Sequence, residues 1–231
     1  MSSTYKLPLN FDPSKLREDL ERVTSENWHS QFMKIHYDKG WSGIALYSAE
    51  GDLNYLKPGK SYKPTVLLSR CPYFREVLNT FKCEMHRVRV VKLESGAKIE
   101  THVDPSSGRG QSEMRLHIPI ITNDEVEFYS KGERVSMKAG ELWFIDTSYP
   151  HSVFNKSNED RIHLIIDCVP NQWLYSLFPS NFTSVSWHHI LSYKVRIFQF
   201  MSWDILKAIW VKDRALAIKL VKILRRELNI A

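Results

Sequence analysis

The sequence predicts a mostly β protein with flanking helices and a helical appendage at its C-terminal end. Short segments rich in Val, Ile and aromatic residues recur between positions 86 and 168, and their polar and apolar side chains alternate at period two. Gly-containing turns separate these segments. Near both ends of the chain, apolar residues instead recur at spacing three or four, which is typical of amphipathic helices. With 231 residues and 43% apolar composition, wholesale disorder is excluded and one sizeable domain with a small appendage is expected.

Two helices are predicted before the main run of strands. Residues 14–23 carry apolar side chains at helical spacing, with Ser14 as a candidate N-cap. Residues 71–81 show the same spacing and form the second predicted helix. Between them, residues 41–48 predict a strand and the polar, Pro- and Gly-containing residues 53–64 predict a loop.

The strands that follow are recognised by alternation and by their turns. Residues 86–93 alternate most clearly, with Arg87 and Arg89 on one face. Lys131-Gly132-Glu133 predicts a hairpin turn, and the polar loop 105–112 is a candidate lid. The remaining strands are predicted at 99–102, 114–120, 126–130, 134–137, 141–146 and 161–166.

Two histidines and an aspartate in this region predict a metal site. In an extended segment alternate side chains point the same way, so His102 and Asp104 share a face. His151 supplies a third ligand. Two imidazoles and one carboxylate form the facial arrangement that holds Fe(II) and leaves positions open for a chelating cosubstrate and dioxygen. Taken singly, each histidine has an ordinary structural alternative.

Arginines on inward strand faces strengthen the metal interpretation. Arg115 and His117 alternate on one predicted strand, and Arg161 begins another. A buried arginine implies a buried anion, because an unpaired charge is costly to desolvate. A dicarboxylate cosubstrate is the anion expected beside a non-haem iron. For Arg115 and His117 the alternative is a hydrogen-bonded pair at the barrel edge.

Four motifs carry a family resemblance: HVD at 102–104, RLHIPI at 115–120, AGELWFIDTSYPHSVFN at 139–155 and RIHLIIDC at 161–168. In these motifs the chain resembles the aspartyl/asparaginyl β-hydroxylase family, whose members are Fe(II)/2-oxoglutarate oxygenases on a double-stranded β-helix, a jelly-roll or cupin-like core. A fifth stretch, WSGIALYSAEGD at 41–52, resembles the branch of that family that includes bacterial L-proline cis-4-hydroxylases.

The resemblance implies roles for six residues. By matching motif, His102, Asp104 and His151 resemble the iron ligands, and Arg161 resembles the arginine that binds the distal carboxylate of 2-oxoglutarate. Arg115 and His117 resemble an additional cosubstrate-binding pair. The chain keeps Asp104 where the animal peptide hydroxylases have glycine, which places it nearer the bacterial amino-acid hydroxylases and argues against halogenation. The implied cofactors are Fe(II), 2-oxoglutarate and O2, with ascorbate as the reductant in vitro.

The implied reaction is hydroxylation of an unactivated C–H bond of an amino acid, with free L-proline or a similar small amino acid favoured. Candidate substrate-binding residues are Arg89, if it lies on an inward strand face, Trp173, if it covers the mouth of the barrel, and His36. The alternatives are a solvent-facing salt bridge for Arg89, a hydrophobic plug that closes the barrel for Trp173, and a surface or hydrogen-bonded structural role for His36. A residue in a peptide, or a carrier-bound amino acid in natural-product biosynthesis, is the alternative substrate. A non-catalytic cupin-like binding module and a zinc hydrolase are the alternative functions.

The net charge of +6 resides entirely in the tail. Residues 190–231 hold nine Lys and Arg against three acids, so positions 1–189 hold 23 of each and give no reason to expect nucleic-acid binding. We expect residues 1–180 to form the oxygenase domain and residues 181–231 a basic amphipathic helical region. That region is expected to pack on the barrel or a second subunit, to lie on an anionic membrane, or to recruit a peptide or carrier partner.

The cellular compartment is expected to be the cytoplasm. Cys71, Cys83 and Cys168 form no C-x-x-C pair, which favours a reducing environment over a disulfide framework. The first fifteen residues contain no apolar segment typical of a secretory signal, and no apolar run approaches the ~20 residues that cross a bilayer.

Overall fold

A computed structural model of the chain describes residues 2–25, 28–30, 36–37, 39–53, 61–105, 107–180, 182 and 187–229. The strands are β1 (Thr4–Asn10), β2 (His29–Ser30), β3 (Trp41–Ala49), β4 (Tyr62–Pro64), β5 (Met85–Leu93), β6 (Lys98–His102), β7 (Met114–Ile121), β8 (Val126–Ser130), β9 (Glu133–Val135), β10 (Glu141–Ile145), β11 (His151–Asn155) and β12 (Arg161–Cys168). The helices are α1 (Pro13–Glu21), α2 (Pro72–Asn79), α3 (Gln172–Ser176), α4 (Trp187–Trp210) and α5 (Arg214–Leu228), with a 3-10 helix at Val66–Arg70.

The strands form two antiparallel sheets. The larger sheet has the order β1-β10-β7-β12-β5-β3-β2, with β4 paired to β3, and the smaller has the order β6-β11-β8-β9. From β5 to β12 the chain passes back and forth between the two sheets, so that strands distant in sequence become neighbours. This winding is a double-stranded β-helix, and the predicted fold class, with its flanking and C-terminal helices, is confirmed.

The central strands of the larger sheet are buried on both faces, and the two faces differ in chemistry. On β12, Ile162, Leu164 and Ile166 join the main hydrophobic core beneath the helices, whereas Arg161 and the other odd-numbered residues lie on the opposite face. That opposite face meets the smaller sheet, where a second apolar cluster closes part of the interior. Its members include Leu93, Ile99, Phe128, Ile145 and Val153.

Helices α1 and α2 cover the outer face of the larger sheet. The N-cap of α1 is Asp12, whose Oδ1 accepts from Ser14 N at 2.9 Å and Lys15 N at 3.3 Å, so the expectation that Ser14 caps this helix is wrong. Ser14 instead lies in the first turn, behind Pro13. The buried Asp19 accepts from Phe74 N at 2.7 Å and ties α1 to the start of α2.

Strands β1, β4 and β11 lie where no strand was predicted. Strand β1 pairs with the edge of β10, opposing Tyr5 to Phe144, and Pro8 obscured it because proline is usually absent from inner strands. An edge strand tolerates it, with a register shift between Lys6 and Asn10. Strand β4 falls inside the predicted loop 53–64, of which residues 54–60 lie outside the described part of the chain.

Residues 107–109 of the candidate lid are packed against the barrel. Arg109 N donates to Asp146 Oδ2 at 3.3 Å, and Thr147 Oγ1 donates to the carbonyl of Ser107 at 3.2 Å. Gly108 has φ +149°, and a Cβ there would lie 2.1 Å from Asp146 Oδ1, so a side chain does not fit. Residue 106 lies outside the described residues, and the expectation that this loop moves stays a prediction.

The C-terminal region is a helical hairpin rather than one continuous helix. Lys212, with φ +59°, reverses the chain, and Asp213 caps α5 by accepting from Leu216 N at 2.9 Å. The inner face of the hairpin packs on Val103, which confirms the expectation that the tail packs on the barrel. Among the described helices none has the length and apolar character needed to cross a membrane. The predicted boundary at residue 180 stays a prediction.

Candidate metal centre and anion pocket

The three predicted metal ligands converge at one end of the smaller sheet. His102 ends β6 and His151 begins β11, and the two are direct cross-strand partners. Asp104 lies two residues beyond β6, where its N–H donates to the carbonyl of Thr147 at 2.8 Å. One ligand atom from each residue can be chosen so that all three lie within 4.8 Å of one another. Three side chains from two neighbouring strands therefore face one point.

Backbone carbonyls fix the orientation of both imidazoles. Nδ1 of His102 lies 2.8 Å from the carbonyl of Glu100, and Nδ1 of His151 lies 3.0 Å from the carbonyl of Tyr149. A carbonyl only accepts, so both Nδ1 atoms carry the proton and both Nε2 lone pairs remain for a metal. Burial, and after it the neighbouring His102, lower the pKa of His151 to about 3, which keeps this ring neutral and able to ligate.

Asp104 completes the set as an ionised carboxylate. Its Oδ1 lies 3.8 Å from His102 Nε2, while its Oδ2 is held by Nη1 of Arg115. Burial opposes ionisation, but the charge of Arg115 holds the pKa of Asp104 below its usual range. Two imidazole nitrogens and one oriented carboxylate oxygen are the donors that suit a facially bound Fe(II), so these residues fit the implied metal.

A buried cluster of arginines and carboxylates supports this end of the site. Asp167 is fully buried and accepts from Arg115 Nε at 2.7 Å and Arg89 Nη1 at 2.7 Å, with Arg87 Nε at 3.3 Å. Arg87 also binds Glu113 at 2.9 Å. The three guanidinium groups are therefore balanced by carboxylates of the protein itself. Arg115 contacts the metal ligand Asp104 directly. Arg89 is paired with Asp167, which links it to the metal ligands through Arg115.

Arg161 differs from these three arginines because it has no carboxylate partner among the described residues. Its side chain is buried, its Nε has no hydrogen-bond partner, and Nη2 lies 3.0 Å from Nδ1 of His163. Burial lowers the pKa of Arg161 to about 9. The guanidinium lies 6.0 Å from the ring centroid of Phe128, and that ring also stacks on His151 at 6.4 Å. An unpaired buried cation thus lies in the interior that the metal ligands face.

His117 and His163 complete this polar interior. Their rings meet edge to face at 5.7 Å, and both nitrogens of His117 and Nε2 of His163 are buried without a partner. Burial, and then the charge of Arg161, hold the pKa of both rings well below the usual range. Unpartnered buried donors gathered around one cation are what an anionic, oxygen-rich ligand requires, so these residues fit the distal carboxylate of 2-oxoglutarate. No role was predicted for His163, although its position two residues after Arg161 puts both side chains on the same strand face.

The other predicted substrate residues differ in their placement. His36 is buried and stacks on His102 at 4.6 Å between ring centroids, so it borders the metal site. Trp173 does not join the site. It packs edge-on against Phe81 at 5.9 Å, within the helical layer on the far face of the larger sheet. Those contacts agree with a packing role for Trp173 rather than with a cover over the substrate.

Residues of α4 approach the site, and no sequence signal identified them. Asp204 is buried with its Oδ2 3.4 Å from His36 Nε2, and burial raises its pKa to about 6. Arg196 donates through Nε to the carbonyl of Ser148 at 3.2 Å and lies 3.8 Å from the ring centroid of Tyr149. Helix α4 therefore contacts the metal site at two points: Ser148 and Tyr149, which precede His151, and His36, whose ring stacks on His102.

Comparisons with known proteins agree with this geometry. Residues 11–170 match the family model described as Aspartyl/Asparaginyl beta-hydroxylase. The L-proline cis-4-hydroxylase of Rhizobium meliloti (strain 1021) is 28% identical over 175 residues, covering 72% of this chain and 61% of that protein. The L-proline cis-3-hydroxylase 1 of a Streptomyces species is 28% identical over 172 residues, covering 69% and 57%. The chain thus spans about three fifths of the length of these relatives.

A solved oxidoreductase of the 2OG-Fe(II) oxygenase family from Burkholderia pseudomallei matches with TM-score 0.48 at 14% identity, covering 72% of this chain and 84% of that chain.

Proposed function

The chain belongs to the aspartyl/asparaginyl β-hydroxylase family, and from this premise we propose that it is an Fe(II)- and 2-oxoglutarate-dependent oxygenase that hydroxylates an unactivated C–H bond of an amino acid. One observation carries the proposal. His102, Asp104 and His151 converge on a common point beside a buried arginine, Arg161, that has no carboxylate partner among the described residues. A zinc hydrolase needs the three ligands but has no use for the unpaired cation.

The chain's own residues hold and orient the reactants. His102 and His151 present Nε2, and Arg115 holds Asp104 so that one carboxylate oxygen remains for the metal. Bound iron supplies the oxidising chemistry, in which 2-oxoglutarate and O2 give succinate, carbon dioxide and one oxygen atom for the substrate. Arg161 binds the distal carboxylate of 2-oxoglutarate through charge-assisted hydrogen bonds.

Neighbouring side chains set the pocket around that carboxylate. His163 accepts a hydrogen bond from Arg161 through Nδ1, which fixes the plane of the guanidinium and leaves Nε2–H as a further donor. His117 has two unpartnered nitrogens and offers one to the same ligand. The apolar cluster around Phe128 borders this interior and excludes water, which strengthens each of these interactions.

We propose free L-proline, or a similar small amino acid, as the substrate. The relatives named L-proline cis-4-hydroxylase and L-proline cis-3-hydroxylase support this choice. His36 lies against His102 and is the candidate residue that contacts the substrate. The alternative substrates are a residue within a peptide and a carrier-bound amino acid, and the alternative function is a non-catalytic cupin-like binding module.

Turnover with defined substrates tests the proposal. The protein with Fe(II), 2-oxoglutarate and ascorbate is incubated with free amino acids or with proline-containing peptides, and both succinate and a mass gain of one oxygen are measured. His102→Ala is the inactive comparison, and His29→Ala, on edge strand β2, is the matched control. Oxygen gain in peptides alone supports the alternative substrate class, and the absence of succinate with every substrate supports the binding module.

A further inference from the structure

The outward face of helix α4 is apolar and exposed, although its inward face is already packed. On the inward side Tyr193, Ile197, Met201 and Ala208 are buried around Val103. On the opposite side a row of large apolar side chains recurs at spacing three or four, which places them along one stripe. We call this the outer stripe; it consists of Leu191, Val195, Phe198, Leu206 and Ile209, flanked by Trp203 and Trp210.

The outer stripe is strongly exposed. Trp203 is 61% exposed and Trp210 is 87% exposed, and the stripe runs along about 30 Å of helix at 1.5 Å per residue. At its C-terminal end Trp203, Leu206 and Trp210, with Lys207 and Val211, line a cavity of about 330 Å³. Contiguous exposed apolar surface of this kind marks a site of interaction with a partner or a membrane.

The charges around the outer stripe are almost all positive at the surface. Residues 190–231 hold nine basic residues and three acids. Of the acids, Asp204 is buried, Asp213 caps α5, and Glu227 is bonded to Tyr193 and Arg226. The hairpin therefore presents bulky apolar side chains together with an excess of lysine and arginine.

We propose that this hairpin docks on an anionic lipid surface, with the outer stripe inserted at the level of the headgroups. Large apolar and Trp side chains beside basic residues are the composition of helices that lie in a membrane interface. A second copy fits less well, since two hairpins with the same positive excess repel each other. A protein partner also fits less well, because protein–protein interfaces are depleted of lysine, whereas Lys207 lines the same cavity as Trp203 and Trp210. No described helix spans a bilayer, so the contact is peripheral.

Vesicle binding tests the proposal with the full-length protein. We expect co-sedimentation with vesicles of equal parts phosphatidylcholine and phosphatidylglycerol, and much weaker co-sedimentation with phosphatidylcholine alone. Trp203→Ser with Trp210→Ser removes the binding, whereas Val66→Ser, which alters a residue 67% exposed on the 3-10 helix, leaves it unchanged. Because all three side chains are exposed, none of these changes should shift the unfolding temperature.

A second pair of variants tests whether the positive charges of the hairpin contribute to membrane binding. Lys207→Gln with Lys212→Gln should weaken partition into the anionic vesicles about 25-fold, since each basic residue near such a surface contributes about fivefold. Lys98→Gln, in β6, is the matched control. Equal binding to both vesicle types, or no binding to either, overturns the proposal. A dimer that is lost on Trp203→Ser also overturns it, and assigns the outer stripe to a second copy.

Discussion

Replacing Arg161 with methionine should make the ligand-free protein more stable while it abolishes cosubstrate binding. Arg161 is buried without a carboxylate partner among the described residues, and its pKa of about 9 lies well below the ordinary value of 12.5. That difference corresponds to at most about 5 kcal/mol by which folding disfavours the charged side chain. The smaller methionine leaves some unfilled space and loses the contact with His163, so we expect a net gain of about 1–3 kcal/mol.

The effect on 2-oxoglutarate binding should have the opposite sign. Removing the guanidinium leaves the distal carboxylate buried without its charge-assisted partner, which costs about 3–5 kcal/mol, or roughly a few hundred- to a few thousandfold in Kd. Urea unfolding measures the first effect. Isothermal titration with 2-oxoglutarate measures the second, with Mn(II) in place of iron so that no turnover occurs.

Arg89 provides the matched comparison, because it is equally buried on the same face of the larger sheet but is paired with Asp167 at 2.7 Å. Burial lowers the pKa of Arg89 as well, but its removal takes a partner from the fully buried Asp167 carboxylate, so Arg89→Met should destabilise the ligand-free protein by about 3–5 kcal/mol. The two substitutions should thus change the free energy of unfolding in opposite directions, although both arginines are buried in the same sheet. If Arg161→Met destabilises the protein as much as Arg89→Met does, or if it retains 2-oxoglutarate affinity, the anion-pocket reasoning is refuted.

Three further outcomes follow from the same structure. His102→Ala should reduce bound iron, measured by elemental analysis, by more than about a hundredfold while the barrel stays folded, and retained iron would remove this ligand from the site. Asp167→Asn should lower the free energy of unfolding in urea by about 3–5 kcal/mol, because three arginines share this carboxylate, whereas Asp160→Asn at the surface should change it little. Burial raises the pKa of Asp204 from 3.8 to about 6, despite the charge of the facing Lys207. The protonated carboxyl of Asp204 therefore stabilises the fold at low pH, and this stabilisation is lost as pH rises from about 4 through 6. Asp204→Asn should remove this pH dependence of the free energy of unfolding, which amounts to at most about 3 kcal/mol. Parallel curves of unfolding free energy against pH for the two proteins would contradict the prediction.

The fold could be predicted where periodicity is visible in the sequence. Strands β5, β7, β8 and β12 begin or end within about two residues of their predicted limits, because alternation and Gly-containing turns mark them. Strand β1 was missed because Pro8 resembles a strand breaker and only the tertiary pairing with β10 shows that it lies at an edge. The break between α4 and α5 was missed because the apolar spacing continues across it.

The candidate site, like the fold, could be predicted only in part from the sequence. Alternation alone predicted that His102 and Asp104 share a face, and the two side chains do approach each other, although Asp104 lies two residues beyond the end of β6. The role of Asp167 depends on register: it opposes Arg87 on one neighbouring strand and Arg115 on the other, and no local pattern contains that information. Likewise, the lack of a carboxylate beside Arg161 in the described part of the chain depends on how three strands come together, which no local pattern shows.

Coupled turnover tests the central claim most directly. With Fe(II), 2-oxoglutarate and ascorbate, we predict that the protein forms succinate in proportion to an oxygen-containing product of L-proline or another small amino acid, and that Arg161→Met loses both. Binding of 2-oxoglutarate and iron with no succinate formed, across free amino acids, peptides and carrier-bound amino acids, would contradict the claim that these four side chains support an oxygenase.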